Sequence, residues 1–306
     1  MDTIGFINFI ENLRYARGMS QEEFLHDIIS TRQYQRYRNG SSEISMDCIE
    51  RMSNRFGIET RKLLADFQHE KFREKELVEE YYNSVVYKNG NDVQRLEQYF
   101  DRYNFLDKTN FEVHTLASIL KQYLLNNINK ENFLDMLYEL IHYPKVLNYE
   151  ILRDVEIIGL MIIFQHNINE KEKIIDLIKK LNKDHNLLAS GQSYFVIIMF
   201  QYFVAIDFIQ KKEYDHAIIY LSRALDMLKK KHSNYSLYLI YYQLARSYYY
   251  MGETDRFKEM LYKCLVQTRA KHSVELVNQI NRMVNEHYNF DADSFLLEYI
   301  KMEKKT

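Results

Sequence analysis

The sequence predicts an all-α protein. Its 306 residues include one proline and eight glycines, so few positions break a helix. Apolar residues recur at the three-to-four-residue spacing of amphipathic helices, and several such runs open at a serine and close at a glycine. No sustained alternation of apolar and polar residues is bounded by hairpin turns, and Asn89-Gly90 separates two helix-like runs rather than two strands. A chain of this length can bury one large core or two to three smaller ones.

In order, Ile4, Phe6, Ile7, Ile10 and Leu13 define a first helix, with Glu11, Arg14 and Arg17 expected to face outward and Gly18 as its stop. Ser20 followed three residues later by Glu23 is a capping-box signature, opening a short helix at Gln21 that buries Phe24 and Leu25. A turn over His26 to Ile29 leads to Ser30 or Thr31, either of which can cap a second short helix. That helix carries Arg32, Gln33, Gln35, Arg36 and Arg38 around Tyr34 and Tyr37, and Asn39-Gly40 ends it. Ser45 then caps a helix from Met46 to Phe56, with Ile49, Met52 and Phe56 as its apolar stripe and Gly57 as its stop. A short helix from Thr60 to Phe67 closes a five-helix unit.

This order and spacing resemble the Xre-type helix-turn-helix domain over residues 4–67. The matching residues are Leu13-Arg14, Met19 to Phe24, Ile29-Ser30, Gln33 to Gly40, Ile44-Ser45 and Phe56-Gly57-Ile58. Leu25 departs from the family, which often has a small residue there, and Arg38 stands where the family often has Glu. The resemblance sets a DNA-binding domain at 1–67 and a second domain at 68–306.

A net charge of −2 does not announce a nucleic-acid binder, so local charge must carry that reading. Between Ile28 and Ser42 there are three arginines and no acid, a positive face on which a phosphate backbone can dock. Arg32 and Arg36 lie one turn apart and, with Gln33, are placed to read base edges in the major groove of double-stranded DNA. Gln21, at the start of the preceding helix, and Arg38 are better placed for phosphate, and Thr31 and Gln35 complete the candidate contact set. The plain alternative is a solvated arginine face on an ordinary helical bundle.

From Gln68 a charged, proline-free run reads as a continuous helix entering the next region. That region hides a degenerate repeat: an apolar residue with a small one beside it, a large residue three on, a turn, and a second amphipathic helix. Val204-Ala205 with Phe208, then Ala217, Leu221 and Ala224, is the clearest unit. Leu244-Ala245 with Tyr248, then Phe257, Leu261 and Cys264, is another. Ile158-Gly159 with Ile162, then Ile175 and Ile178, and Leu116-Ala117 with Leu120, then Phe133 and Met136, complete the series. The small residues fall at 117, 159, 205 and 245, at intervals of 42, 46 and 40. The segments resemble lengthened tetratricopeptide repeats. Helices over 75–88 and 92–103 are expected to begin the stack, and 273–286 with 293–301 to cap it. The resulting expectation is a tetratricopeptide-like right-handed α-solenoid with a concave face that binds something extended.

Several function classes recede. Two cysteines, Cys48 and Cys264, far apart in sequence, fit small buried residues in a reducing compartment. Ten histidines are dispersed without a metal-binding spacing, and no phosphate-cradling glycine loop or nucleophile elbow occurs. No enzyme, metal or cofactor is therefore expected. The first residues do not read as a signal peptide, and no run approaches the length of apolar sequence a membrane span needs, which points to the cytoplasm. Twenty-six tyrosines are unusual and cluster from Tyr235 to Tyr250. Most suit packing between repeat helices. Tyr202, Tyr242, Arg246 and Tyr249 form a candidate ligand set on the opposite helix face, where Arg246 could receive a carboxylate.

An Xre-like unit with degenerate tetratricopeptide repeats after it resembles the pheromone-sensing regulators of Gram-positive bacteria, the Rgg, PlcR and PrgX group. The resemblance implies a cytoplasmic homodimer that binds a short signalling peptide on its concave repeat face and changes transcription, a quorum-sensing receptor. The alternative is a helical-repeat interaction scaffold that binds another protein and senses no peptide.

Overall fold

A computed structural model describes residues 2–183, 194–230, 232–234 and 236–303. Tyr235 of the tyrosine cluster and His185 lie outside these. Among the described residues the secondary structure is helical throughout, with no strand. Packing divides the chain into two units, Met1–Val146 with Asp154–Gly159 and Leu147–Arg153 with Leu160–Thr306.

The first unit opens with α1 (Thr3–Ala16), whose cap Asp2 accepts the Gly5 N–H at 3.0 Å. Then come α2 (Gln21–Leu25), α3 (Thr31–Arg38), α4 (Met46–Phe56) and α5 (Thr60–Val86). Ser20 and Glu23 form the expected reciprocal capping box, Ser30 rather than Thr31 caps α3, and Gly57 ends α4 in the left-handed conformation at φ 67°. Phe6, Ile7, Ile10, Phe24, Tyr34, Met52 and Leu63 are fully buried, with Phe24 stacked on Phe56 at 4.7 Å. Ile4, expected in the apolar stripe, is instead exposed.

Glu11 and Arg14 are not on the outer side of α1. They are 3 % and 5 % exposed and paired, Arg14 Nη2 to Glu11 Oε2 at 2.8 Å, while the Tyr34 hydroxyl donates to Glu11 Oε1 at 2.6 Å. Burial raises the Glu11 pKa, but the hydrogen bonds from Arg14 and Tyr34 and the Arg14 charge outweigh it and leave the carboxyl below its ordinary range. A buried charge is tolerable here because each side of the pair is hydrogen-bonded.

The two helices expected at 60–67 and 75–88 are one 27-residue helix, α5. It pairs with α6 (Gly90–Phe100) and α7 (Lys108–Leu124), and α8 (Lys130–Leu140) completes the next hairpin. On α8 the buried residues are Phe133 and Leu137, one turn apart, so Met136 faces solvent rather than the core. Residues 103–107, between α6 and α7, are stitched to the N-terminal helices. Asn8 Nδ2 donates to the Phe105 carbonyl at 2.7 Å, Asn12 Nδ2 to that of Asn104 at 2.9 Å, and Leu106 is buried in the same core as Phe6 and Phe67. Glu74, 1 % exposed in the middle of α5, accepts the N–H groups of Leu106 and Asp107 at 2.6 and 3.1 Å and the Asn110 amide at 2.7 Å.

The helix α9 (Asp154–His166) contributes its first turns to the first unit. A methyl group added at Gly159 would lie 2.7 Å from Ile141 Cγ2, so the close approach requires glycine. The second unit continues with α10 (Lys171–Lys183), α11 (Tyr194–Gln210), α12 (Tyr214–Lys230), α13 (Leu237–Tyr250), α14 (Thr254–Arg269), α15 (Val274–Tyr288) and α16 (Ala292–Glu303). Successive helices pair as hairpins, α11 with α12 and α13 with α14, and α15 and α16 close the series. Ala205 and Ala245 are fully buried at the repeat positions, as is Ala117 in the first unit. Cys48 and Cys264 are both buried thiols, and burial pushes Cys48 up to about 11.

Candidate nucleic-acid interface and ligand site

The first candidate site is the outer side of α3. Tyr34 and Tyr37 are buried and fix the helix by one face, which leaves Thr31, Arg32, Gln35 and Arg36 exposed on the other. Arg32 and Arg36 are thus presented together from a helix whose start is capped and whose register is set by two rings. Gln33 is half-buried, and its Nε2 donates to Ser42 Oγ at 3.1 Å, so its amide is held against the loop after the helix. Arg38 is half-buried, and its charge adds a minor stabilisation of ionised Glu11. Gln21 opens the single turn of α2, half-buried. Arg55 holds the end of α2 by donating to the Glu23 carbonyl at 3.1 Å and to that of His26. Arg51 is engaged by Asp47 at 3.1 Å. The face offered outward is a pair of exposed cations flanked by neutral hydrogen-bonding groups, a combination that meets phosphates and base edges.

The second candidate site lies in the other unit, on α11, α13 and α15. Of the four residues expected there, Tyr202 and Arg246 come together, Tyr249 is exposed beside them, and Tyr242 does not reach a ligand-facing surface. Tyr242 is 0 % exposed, and its hydroxyl bonds His287 Nδ1 at 2.6 Å, so it packs α13 against α15. Arg246 is half-buried, its guanidinium 6.0 Å from the centre of the Tyr250 ring. Its charge bears on Tyr202, Tyr242 and Tyr288. Burial raises the pKa of Tyr202, while Gln243 and Arg246 pull it back, so its phenol stays neutral.

Sequence reading missed Gln243 and Tyr288. Gln243 is 5 % exposed; its Nε2 reaches only the Tyr202 hydroxyl, at 3.5 Å, and its Oε1 has no partner among the described residues. Arg246 Nε and the Tyr288 hydroxyl are also buried with no partner among the described residues. Gln243 precedes Arg246 by one helical turn, a signal the sequence did hold. Tyr288 is 42 residues beyond Arg246, and no local pattern links the two. Buried polar groups are normally paired, so three unsatisfied ones gathered around one guanidinium mark a place built to receive hydrogen bonds from elsewhere.

Among the described residues no group of His, Cys, Asp and Glu is arranged to hold a metal ion, and no helix is long and apolar enough to cross a membrane. No protein-family model and no curated protein matches the sequence. Solved structures do match over nearly the full length. Bacillus thuringiensis PlcR in complex with the peptide PapR7 and DNA aligns at 17 % identity and TM-score 0.51, covering 92 % of this chain and 99 % of that one. The apo form of the competence regulator ComR from Streptococcus vestibularis aligns at 15 % and 0.53, covering 94 % and 99 %. ComR from S. thermophilus, in complex with DNA and its signalling peptide ComS, aligns at 16 % and 0.54, covering 90 % and 97 %. The chain thus has the all-helical fold of these solved structures, a helix-turn-helix unit and then tetratricopeptide-like helical pairs.

Proposed function

We propose that this chain is a DNA-binding transcription regulator controlled by a short signalling peptide, with no enzymatic activity of its own. The domain at 1–67 reads a double-stranded operator through Arg32 and Arg36, supported by Gln21, Thr31, Gln33, Gln35 and Arg38. The repeat domain at 68–306 receives the peptide at Tyr202, Arg246 and Tyr249, and the active species is a cytoplasmic homodimer. The observation that carries the reading is the exposed arginine pair on a capped helix locked by two buried tyrosines. The similar structures of PlcR and ComR, solved in complex with DNA and signalling peptides, support it.

The test is selection of duplexes from a randomised DNA pool on the full chain, with gel shift of the enriched sequences. The expected result is enrichment of one two-fold-related sequence, salt-sensitive binding, and loss of about tenfold or more in affinity on Arg36→Ala with the helical spectrum unchanged. Absence of enrichment, or undiminished binding by the folded variant, overturns the assignment of α3.

A further inference from the structure

The three unsatisfied groups around Arg246 differ in kind, and the difference specifies what they meet. Arg246 Nε is a buried cationic donor, whereas Gln243 Oε1 is a buried acceptor one turn before it on the same face of α13. Tyr288, from α15, adds a hydroxyl that can donate or accept. Tyr202, half-buried, and Tyr288, buried, both feel the Arg246 charge, so an anion arriving beside them meets a cation partly shielded from water. An isolated phosphate satisfies the donor but brings no N–H for Gln243, and a side-chain carboxylate sits on a rotatable stem at no fixed distance from its backbone N–H. The last residue of a peptide brings both, since its backbone N–H precedes its carboxylate by a fixed, short distance.

Resting on the peptide-receptor reading, we propose that Arg246 and Gln243 form the receptor for the free C-terminal carboxylate of the peptide. Arg246 donates to the terminal carboxylate, Gln243 Oε1 accepts the N–H of the terminal residue, and the Tyr288 hydroxyl supplies the remaining hydrogen bond. Tyr202 and Tyr250 wall the last side chain. Ligands with a blocked C-terminus are then excluded, because an amide sets a second donor against the guanidinium.

The probe is a pool of octapeptides randomised over apolar and aromatic residues, made once as free acids and once as C-terminal amides, incubated with the full chain and recovered by gel filtration and mass spectrometry. A third pool, of amides each carrying one Glu, presents the same charge on a side chain. The expected result is retention of free acids about 10- to 100-fold above either amide pool, the range a charge-assisted hydrogen bond supplies. In Arg246→Gln the preference is lost, and in Arg256→Gln, at an exposed arginine of α14 outside the site, it is kept. Equal retention of acids and amides overturns the carboxylate receptor while leaving the peptide receptor standing. Retention of the Glu-bearing amides in place of the acids overturns the C-terminal assignment, as does an acid preference that survives in folded Arg246→Gln. Retention of no pool by the wild type overturns the peptide reading itself.

Discussion

At the scale of single residues, the Glu11–Arg14 pair makes the most demanding claim. Both side chains are withdrawn from water, and each finds its partner inside α1, with Tyr34 as a third member. Glu11→Leu leaves a guanidinium and a phenol without their acceptor and should destabilise the N-terminal helices by about 3–5 kcal/mol. The double variant Glu11→Leu/Arg14→Leu should recover most of that loss, as melting curves will show; no recovery would mean that the pair is not the cause. The pH dependence has a definite sign. The folded carboxyl titrates below its unfolded value of 4.5, so its contribution is complete above that pH and disappears as pH falls through the folded value. Wild type should therefore lose more stability than Glu11→Leu on acidification below 4.5. Sequence alone placed these two residues outside, since a charged side chain on an amphipathic helix faces water by default. The exception depends on Tyr34, 23 positions away in the chain. The caps at Ser20, Ser30 and Ser45 were readable because their partners sit three residues away.

At the scale of elements, α5 does more than carry the chain out of the N-terminal helices. Its buried Glu74 receives two backbone N–H groups from the segment that leads into α7, and Lys71, one turn earlier, bridges Asp107 at 3.0 Å and Asp2 at 3.4 Å. The start of α7 is thereby tied to the first helix of the chain. Glu74→Gln keeps the shape but replaces one acceptor oxygen by a donor that faces donors, a loss of about 1–3 kcal/mol. Hydrogen exchange should report it locally, with the Leu106 and Asp107 amides losing protection before the core of α4 does. Unchanged protection at those amides would show that Glu74 does not hold the segment. Burial pushes the Glu74 carboxyl above its ordinary range despite these bonds, so its ionised form is held at a cost that eases as pH falls. The helical run from Gln68 was legible as an unbroken charged stretch, its fusion with 60–67 was not, and the repeat was legible through its buried small residues at 117, 159, 205 and 245. The stitching of 103–107 was not, because its partners Asn8, Asn12 and Glu74 are 97, 92 and 32 residues distant and share no periodicity with it. For the same reason Tyr288 escaped notice, while Arg246 and Tyr202 could be found from helix faces alone.

At the scale of the whole molecule, the proposed regulator must couple two sites that lie in different units, and the coupling has a thermodynamic form that can be measured without knowing its path. A peptide alters DNA binding only if it binds the DNA-competent arrangement and the alternative with different affinities. The factor by which it changes operator affinity must equal the factor by which operator changes peptide affinity, typically about 5- to 150-fold. The measurement is a closed cycle: the selected duplex titrated with and without a retained peptide, and that peptide titrated with and without the duplex. The two factors should agree, whether the peptide strengthens or weakens binding. A dimer with two-fold symmetry adds a geometric expectation, since two copies of α3 reading one face of B-DNA require half-sites about one helical turn, roughly 34–36 Å, or a multiple of it, apart. Inserting five base pairs between the half-sites should abolish binding, and inserting ten should restore much of it. Indifference to both insertions would show that each α3 reads its site alone, and a peptide factor of one would separate the two sites into independent functions of one chain.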